Sequence, residues 1–150
     1  MQRLLDAVRG VEHLELLVVL AVSTGARRGE LLSLRWPDID LGRRQAIVQH
    51  SKNGDRRVLP LHGRALDLLC RHGQVRPIDD DRLFPIAGFP RSAWERARRA
   101  AGLNDLRFHD LRHTAASHLA MHGATLVELA EILGHRSLQM VRRYAHLTEA

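Results

Sequence analysis

The order of apolar and polar positions predicts a chain built mostly from helices. Residues 11–23 form a nearly continuous apolar run, which predicts a buried helix that ends at Thr24-Gly25. Glycine also separates later helical patterns, as at Gly123 and Gly134. Further helices are predicted at residues 26–34, 63–72, 90–101, 109–122, 125–133 and 138–147.

Two segments in the first half of the chain instead alternate with a period of two residues. Gln45–His50 and Arg56–Leu61 contain β-branched residues, and Asn53-Gly54 lies between them. This pattern predicts an antiparallel hairpin with Lys52 next to its tip. Because no repeat, low-complexity segment or linker divides the chain, residues 1–150 are predicted to form a single α+β domain, mostly helical with a small antiparallel β-sheet.

Composition narrows the class of protein. The chain has 150 residues, of which 45% are hydrophobic, as expected for one folded domain. No apolar stretch approaches the roughly 20 residues that cross a bilayer, and Asp6 interrupts the N-terminal segment before any signal-like apolar block. Cys70 is the single cysteine, which excludes an internal disulfide and a zinc site built from several cysteines. We expect a buried Cys70 in a cytoplasmic protein that has no membrane partner.

The charge balance indicates a polyanionic partner. The formal net charge is +6 and the sequence pI is near 11.0. Since the basic residues are dispersed along the chain, nucleic acid is favoured over a membrane surface. Of the 23 basic residues only Lys52 is a lysine. A coding bias toward arginine explains most of this imbalance, but a lysine can also release a proton where a guanidinium cannot.

A cationic cluster is predicted at the start of the helix at 109–122. Helical spacing brings His109, Arg112 and His113 close to one face. The two histidines have the spacing of helical zinc motifs, but Asp110 replaces the usual glutamate base, and a permanent cation beside a metal ion is unfavourable. An anionic phosphate fits this face better, because Arg112 offers two parallel donors. The alternative is an ordinary helix surface.

Tyr144 is the only tyrosine, on a segment whose predicted cap is Ser137. On an amphipathic helix such a residue is most often half-buried in the core. A free phenol, with a pKa of about 10, attacks poorly unless cations or a base assist it. The neighbouring Arg142 and Arg143, together with the cluster at 109–113, could provide that assistance.

Five separated segments together resemble the tyrosine recombinases, also called phage-type integrases. The resemblance spans about residues 19–146. In chain order the segments are Thr24-Gly25-Ala26-Arg27-Arg28-Gly29-Glu30-Leu31, Ser51-Lys52-Asn53-Gly54-Asp55 with Arg57-Val58-Leu59-Pro60-Leu61, His109-Asp110-Leu111-Arg112-His113, Leu133-Gly134-His135 and Arg143-Tyr144-Ala145-His146. Each segment alone is weakly specific, but their occurrence together in this order is highly specific.

The resemblance implies which residues bind a scissile phosphate. Arg27 and Arg112 would hold its non-bridging oxygens, and the family spacing to Glu30 favours Arg27 over Arg28. His135 would add a third donor. Glu30, one helical turn from Arg27, is expected to orient or neutralise that arginine.

The resemblance also implies the residues that make and break bonds. Tyr144 would attack phosphorus, giving a 3′-phosphotyrosine and a free 5′-hydroxyl. His109 would accept the proton of the phenol, and Lys52 would protonate the departing 5′ oxygen. His113 is expected to be a structural support bonded to a backbone carbonyl, with a role in the site as the alternative.

For the protein as a whole, the resemblance implies a recombinase or integrase acting on double-stranded DNA without metal ion, other cofactor or ATP. Relatives usually have an N-terminal core-binding domain and a further C-terminal segment, so residues 1–150 are expected to be the catalytic domain without the N-terminal domain. A homo-oligomer, a tetramer on DNA, is left open for the full-length protein. The alternatives are a relaxing activity like that of type IB topoisomerases and a non-catalytic or truncated DNA-binding remnant of an integrase.

Overall fold

The computed structural model describes residues 1–49, 56–135 and 137–148, which are mostly helical. The α-helices are α1 (Gln2–Ala7), α2 (Leu14–Thr24), α3 (Arg28–Leu32), α4 (Gly63–Val75), α5 (Arg91–Ala100), α6 (Asp110–Met121), α7 (Leu126–Leu133) and α8 (Ala145–Thr148). Two 3-10 helices cover Trp36–Asp38 and Leu138–Tyr144. In this described part of the chain, no helix has the length and apolar character needed to cross a bilayer.

A small antiparallel sheet is formed by β1 (Ile39–Asp40), β2 (Gln45–Val48) and β3 (Arg57–Pro60), adjacent in that order. Val48 lies opposite Arg57, so β2 and β3 are the two arms of the predicted hairpin, and the expected α+β fold is confirmed. The predicted turn, including Lys52, falls in residues 50–55, which are outside the described residues. Strand β1 was not predicted, because two residues are too few to give a periodic signal.

Helix α2 lies at the centre of the larger of two hydrophobic cores. It packs against α4 and α6. Its buried residues are Leu14, Leu16, Leu17, Val18, Val19, Leu20, Ala21 and Thr24. A helix that is apolar on every side is stable only when enclosed, and each enclosed leucine contributes about 1.5–3 kcal/mol. The predicted buried helix is therefore confirmed, and Gly25 ends it in the left-handed conformation with φ of 72°.

The smaller core lies between α6, α7 and the second 3-10 helix. Its buried residues are Ala116, Ala120, Leu129, Ala130, Leu133, Val141 and Tyr144. Leu111, near the start of α6, belongs instead to the larger core. Helix α6 thus contributes to both cores, and the end of α2 lies against the end of α7.

Two expectations from the sequence are wrong. The segment predicted as a helix at 138–147 is a 3-10 helix as far as Tyr144, and only α8 is α-helical. Its buried residues Val141 and Tyr144 are three positions apart, which matches a helix with three residues per turn. Cys70 is exposed rather than buried. It directly follows the buried Leu69, and one step along an α-helix turns the side chain by about 100°.

Candidate active site

Arg112, in the first turn of α6, connects the ends of two other helices. Its side chain is buried. It donates from Nη1 to the carbonyl of Gly25 and from Nη2 to the carbonyl of Leu133, and both bonds are 2.6 Å long. Carbonyls at the end of a helix lack partners within that helix, so these two bonds satisfy acceptors that would otherwise be left unpaired. Arg112 therefore holds the ends of α2 and α7 beside the start of α6.

His135 follows α7 and contacts the same guanidinium. Its Nε2 lies 3.0 Å from Nη2 of Arg112. Because a guanidinium can only donate, Nε2 must accept and the ring proton resides on Nδ1. Burial, followed by the positive charges of Arg112 and Arg27, lowers the pKa of His135 to about 4, so the ring is neutral at neutral pH.

Arg27, the residue before α3, has a free donor at the same place. Its backbone N–H donates to Oε1 of Glu30 over 2.8 Å, which fixes the chain where α3 begins. Its Nη1 atom and Nδ1 of His135 are both buried, and neither has a hydrogen-bond partner among the described residues. An unpaired buried donor is costly, so a pair of them indicates an acceptor supplied from outside.

Tyr144, at the end of the second 3-10 helix, approaches this cluster from the smaller core. Only 6% of the residue is exposed. Its hydroxyl lies 2.6 Å from Nδ1 of His113, one residue beyond Arg112 on α6. Burial raises the pKa of the phenol, while the positive charges of Arg143 and Arg112 lower it in part.

His109 precedes α6 and packs against His113. The two ring centroids are 5.4 Å apart, with the planes nearly perpendicular at 88°. Burial, then the charges of Arg112 and Arg27, lowers the pKa of His109. The ring is neutral at neutral pH and lies within the group of cations.

A single cleft of about 350 Å³ brings these side chains together. It is lined by Arg27, His109, Arg112, His113, Leu133, His135, Met140, Arg143 and Tyr144. None of these lining residues is a carboxylate, so nothing in the lining offsets the positive charge. Such a cleft favours a phosphate or another oxyanion.

Glu30, the carboxylate that was expected to pair with Arg27, instead accepts hydrogen bonds mainly from another arginine. It forms two hydrogen bonds to Arg57 of β3, of which the one from Nη2 measures 3.1 Å. Nη1 of Arg27 lies 3.9 Å from the same carboxylate, so the side chains of the two residues pair only through this longer contact, beside the bond from the backbone N–H of Arg27 to Glu30. Nε of Arg57 also donates to the carbonyl of Ile132 over 3.1 Å, and this buried arginine thereby connects β3, α3 and α7.

Known proteins place this arrangement in a family. The sequence profile of the phage integrase family matches residues 1–150. The chain belongs to that family. The shufflon-specific DNA recombinase of Escherichia coli is 40% identical over 134 residues, which cover 85% of this integrase-family chain and 33% of the relative. The chain thus spans about a third of the length of this curated relative.

Solved structures agree with the family assignment. The catalytic domain of bacteriophage HP1 integrase superposes with a TM-score of 0.78 at 31% identity, covering 97% of this chain and 83% of that one. A post-cleavage complex of XerH site-specific recombinase bound to a palindromic difH substrate superposes with a TM-score of 0.79 at 25% identity. That match covers 99% of this chain and 48% of XerH.

The structure brings five of the six residues assigned from the integrase resemblance into one cleft. They are Arg27, His109, Arg112, His135 and Tyr144. The sixth, Lys52, lies outside the described residues. Arg28, the rival of Arg27, does not line the cleft and instead stacks on Phe89, with its guanidinium carbon 4.6 Å from the ring centroid.

Two contacts at or beside the cleft were not predicted from the sequence of this integrase-family chain. His113 contacts the hydroxyl of Tyr144 rather than the backbone carbonyl that we expected. Arg57 was not singled out, although a signal for it exists. It shares the inward face of an alternating strand with the buried Leu59, and a charged residue at such a position requires a buried partner.

Proposed function

We propose that this domain cuts and rejoins DNA strands through a covalent bond to Tyr144, as the catalytic part of a site-specific recombinase or integrase. The observation that carries the proposal is one cleft whose lining contains Tyr144, three arginines, a histidine in contact with Arg112, and no carboxylate. The substrate is double-stranded DNA. Support for DNA comes from XerH, a relative of the same fold that was solved with its difH substrate.

Arg27, Arg112 and His135 bind the scissile phosphate in this proposal. Nη1 of Arg27 and Nδ1 of His135 are buried donors of the cleft without partners among the described residues, so a phosphate oxygen would satisfy both. A charge-assisted hydrogen bond of this kind contributes about 1.5–3 kcal/mol. Donors placed in advance around a phosphate lower the barrier to its transfer, because charge builds up on those oxygens in the transition state.

Tyr144 is then the nucleophile. Its oxygen forms a bond to phosphorus as the bond to the 5′ oxygen breaks, which leaves a 3′-phosphotyrosine and a 5′-hydroxyl. Lys52 supplies the proton to that oxygen, a step for which arginine is a poor acid. Because one phosphoester replaces another, the strand can be rejoined without ATP.

The test uses a pool of nicked duplexes of randomised sequence at low salt, in which the cleaved strand end diffuses away and traps the intermediate. We expect a covalent protein–DNA adduct in the presence of EDTA, with the nucleotide on Tyr144 by mass spectrometry. The adduct should be lost in Tyr144→Phe, which removes the hydroxyl but keeps the ring in the smaller core.

Three outcomes would contradict parts of the proposal. DNA retention without any adduct would favour a non-catalytic DNA-binding remnant. An adduct that disappears with EDTA would indicate a metal-dependent mechanism, and an adduct that persists in Tyr144→Phe would place the nucleophile elsewhere. A cytoplasmic location and a tetramer on DNA in the full-length protein stay predictions.

A further inference from the structure

The hydroxyl of Tyr144 has one hydrogen-bond partner among the described residues. Nδ1 of His113 lies 2.6 Å from the phenol oxygen, the short distance typical of a strong O–H···N bond. Tyr144 is anchored by the smaller core and His113 by the first turns of α6, so two packed elements fix the contact. The atom that would attack phosphorus is therefore already bound to a possible base.

His109, to which the resemblance gives the role of proton acceptor, forms no hydrogen bond to this hydroxyl in the described part of the chain. Its ring lies edge-to-face against that of His113, with centroids 5.4 Å apart. The ring of His113 also contacts that of Tyr144, with centroids 6.4 Å apart. Proton transfer requires a hydrogen bond between the two groups or a bridging water, and among the residues that the structure describes the direct bond is made by His113.

We propose that His113 is the proton acceptor for Tyr144 during attack on the phosphate, an inference that rests on the proposed function. As the phenol oxygen bonds to phosphorus, its proton moves to Nδ1 of His113 and the imidazole becomes a cation. The electron pair of the breaking bond leaves with the 5′ oxygen, which takes a proton from Lys52. When the strand is rejoined, the proton on Nδ1 returns to the phenol oxygen.

The surroundings of His113 suit this role. Burial, then the positive charge of Arg143 and the electrostatic coupling to His109, lowers the pKa of His113, whereas the carboxylate of Asp110 raises it. The ring is thus neutral at neutral pH and has a free electron pair before the reaction. The charge created on the ring by proton transfer would face the phosphate, whose negative charge stabilises it.

The position of the ring proton tests the contact without DNA. Nitrogen-15 NMR of the histidines should find His113 with its proton on Nε2, and the Nδ1 resonance should shift in Tyr144→Phe. A proton on Nδ1 would overturn the proposal, since the ring would then donate to the phenol oxygen and could not accept from it. This result does not depend on whether the domain cleaves DNA.

Cleavage kinetics test the chemical step. His113→Asn keeps a hydrogen-bond acceptor near the position of Nδ1 but cannot take up a proton, so adduct formation should slow by about 10²–10⁴-fold. The matched control is His118→Asn, at an exposed histidine of the same helix α6, which should cleave at the wild-type rate. Equal rates for the two variants would overturn the proposal.

A substrate with sulfur in place of the 5′ bridging oxygen distinguishes protonation of the leaving group from deprotonation of Tyr144. Thiolate leaves without a proton, so this substrate should restore cleavage by Lys52→Ala but not by His113→Asn. Recovery of His113→Asn would place His113 at the leaving group and contradict the inference. If the wild-type chain forms no adduct on either substrate, the proposed function fails, while the NMR result still decides the direction of the hydrogen bond.

Discussion

His135 is held neutral by its surroundings, and this affects stability. Folding lowers its pKa from 6.5 to about 4, first by burial and then by the charges of Arg112 and Arg27. As the pH falls below 6.5, the unfolded chain binds a proton at this position before the folded chain does. The stabilising contribution of neutral His135 is therefore complete above pH 6.5 and is lost as the pH falls toward 4.

The lowered pKa of His135 predicts how the stability of His135→Gln depends on pH. Glutamine can still accept from Arg112 through its side-chain oxygen but does not titrate, so the variant should lose less stability than the wild type between about pH 7 and pH 5. The measurement is the melting temperature across that range. His118→Gln, at an exposed histidine, is the control and should follow the wild type. Parallel curves for all three proteins would contradict the assignment of the neutral state to His135.

At the scale of elements, the end of α2 depends on a glycine for two reasons. Gly25 has φ of 72°, and a Cβ placed there would come within 2.8 Å of Cδ2 of Leu133, a buried residue of α7. Its carbonyl also accepts the hydrogen bond from Arg112. Gly25 therefore both permits the close approach of α2 to α7 and accepts a hydrogen bond that positions Arg112.

Gly25→Ala should destabilise the domain more than Gly10→Ala. Gly10 has nearly the same conformation, with φ of 76°, but a Cβ there meets nothing within 4 Å. The control thus carries the cost of the left-handed backbone alone, and the clash with Leu133 should add about 1–3 kcal/mol for Gly25→Ala. Urea unfolding measures both differences. Equal losses would mean that α7 can move away from α2 at no cost.

Local periodicity explains which elements could be predicted. The apolar run of α2 and the alternation in β2 and β3 are properties of neighbouring residues, and both predictions are confirmed. The type of helix before Tyr144 could not be read in this way, because it depends on packing against α6 and α7. Family motifs identified five residues that share the cleft, since their spacing carries information that periodicity lacks.

The contacts that could not be predicted from the sequence join residues that are distant along the chain. The bond from Arg112 to Gly25 spans 87 positions and that from Arg57 to Glu30 spans 27. Neither pair has a local signature, and a buried charge in the sequence indicates only that some partner must exist. The contact between His113 and Tyr144 likewise arises from the packing of the second 3-10 helix on α6.

At the scale of the whole molecule, the cleft lies between the two cores. Tyr144 belongs to the smaller core, whereas Arg27 directly precedes α3, which packs on α2 of the larger one. Arg112 and Arg57 make polar bonds across this boundary, to the carbonyls of Leu133 and Ile132. The alignment of Tyr144 with Arg27 and Arg112, the proposed nucleophile and phosphate ligands, therefore depends on the two cores remaining docked.

Hydrogen exchange should detect this division. Amides of α7 are expected to exchange at a lower opening free energy than those of α2, because the smaller core encloses far less apolar surface. Inorganic phosphate should slow exchange in α7 by bridging groups from both cores. The measurement is native-state exchange followed by NMR, with α4, remote from the cleft, as the internal reference. Identical opening energies for α2 and α7 would show that the two cores unfold as one unit.

The two hydrogen bonds from Arg112 to backbone carbonyls indicate which substitutions a copy of this domain would tolerate after losing its activity. A copy no longer selected for DNA cleavage, but still required to fold, could exchange Tyr144 for phenylalanine and lose only the bond to His113. Loss of Arg112 would leave the carbonyls of Gly25 and Leu133 unpaired, at a cost of about 1–3 kcal/mol each. Selection for folding would therefore retain Arg112 even after the proposed reaction was lost, and an inactive descendant could keep the arginine long after the tyrosine had been replaced.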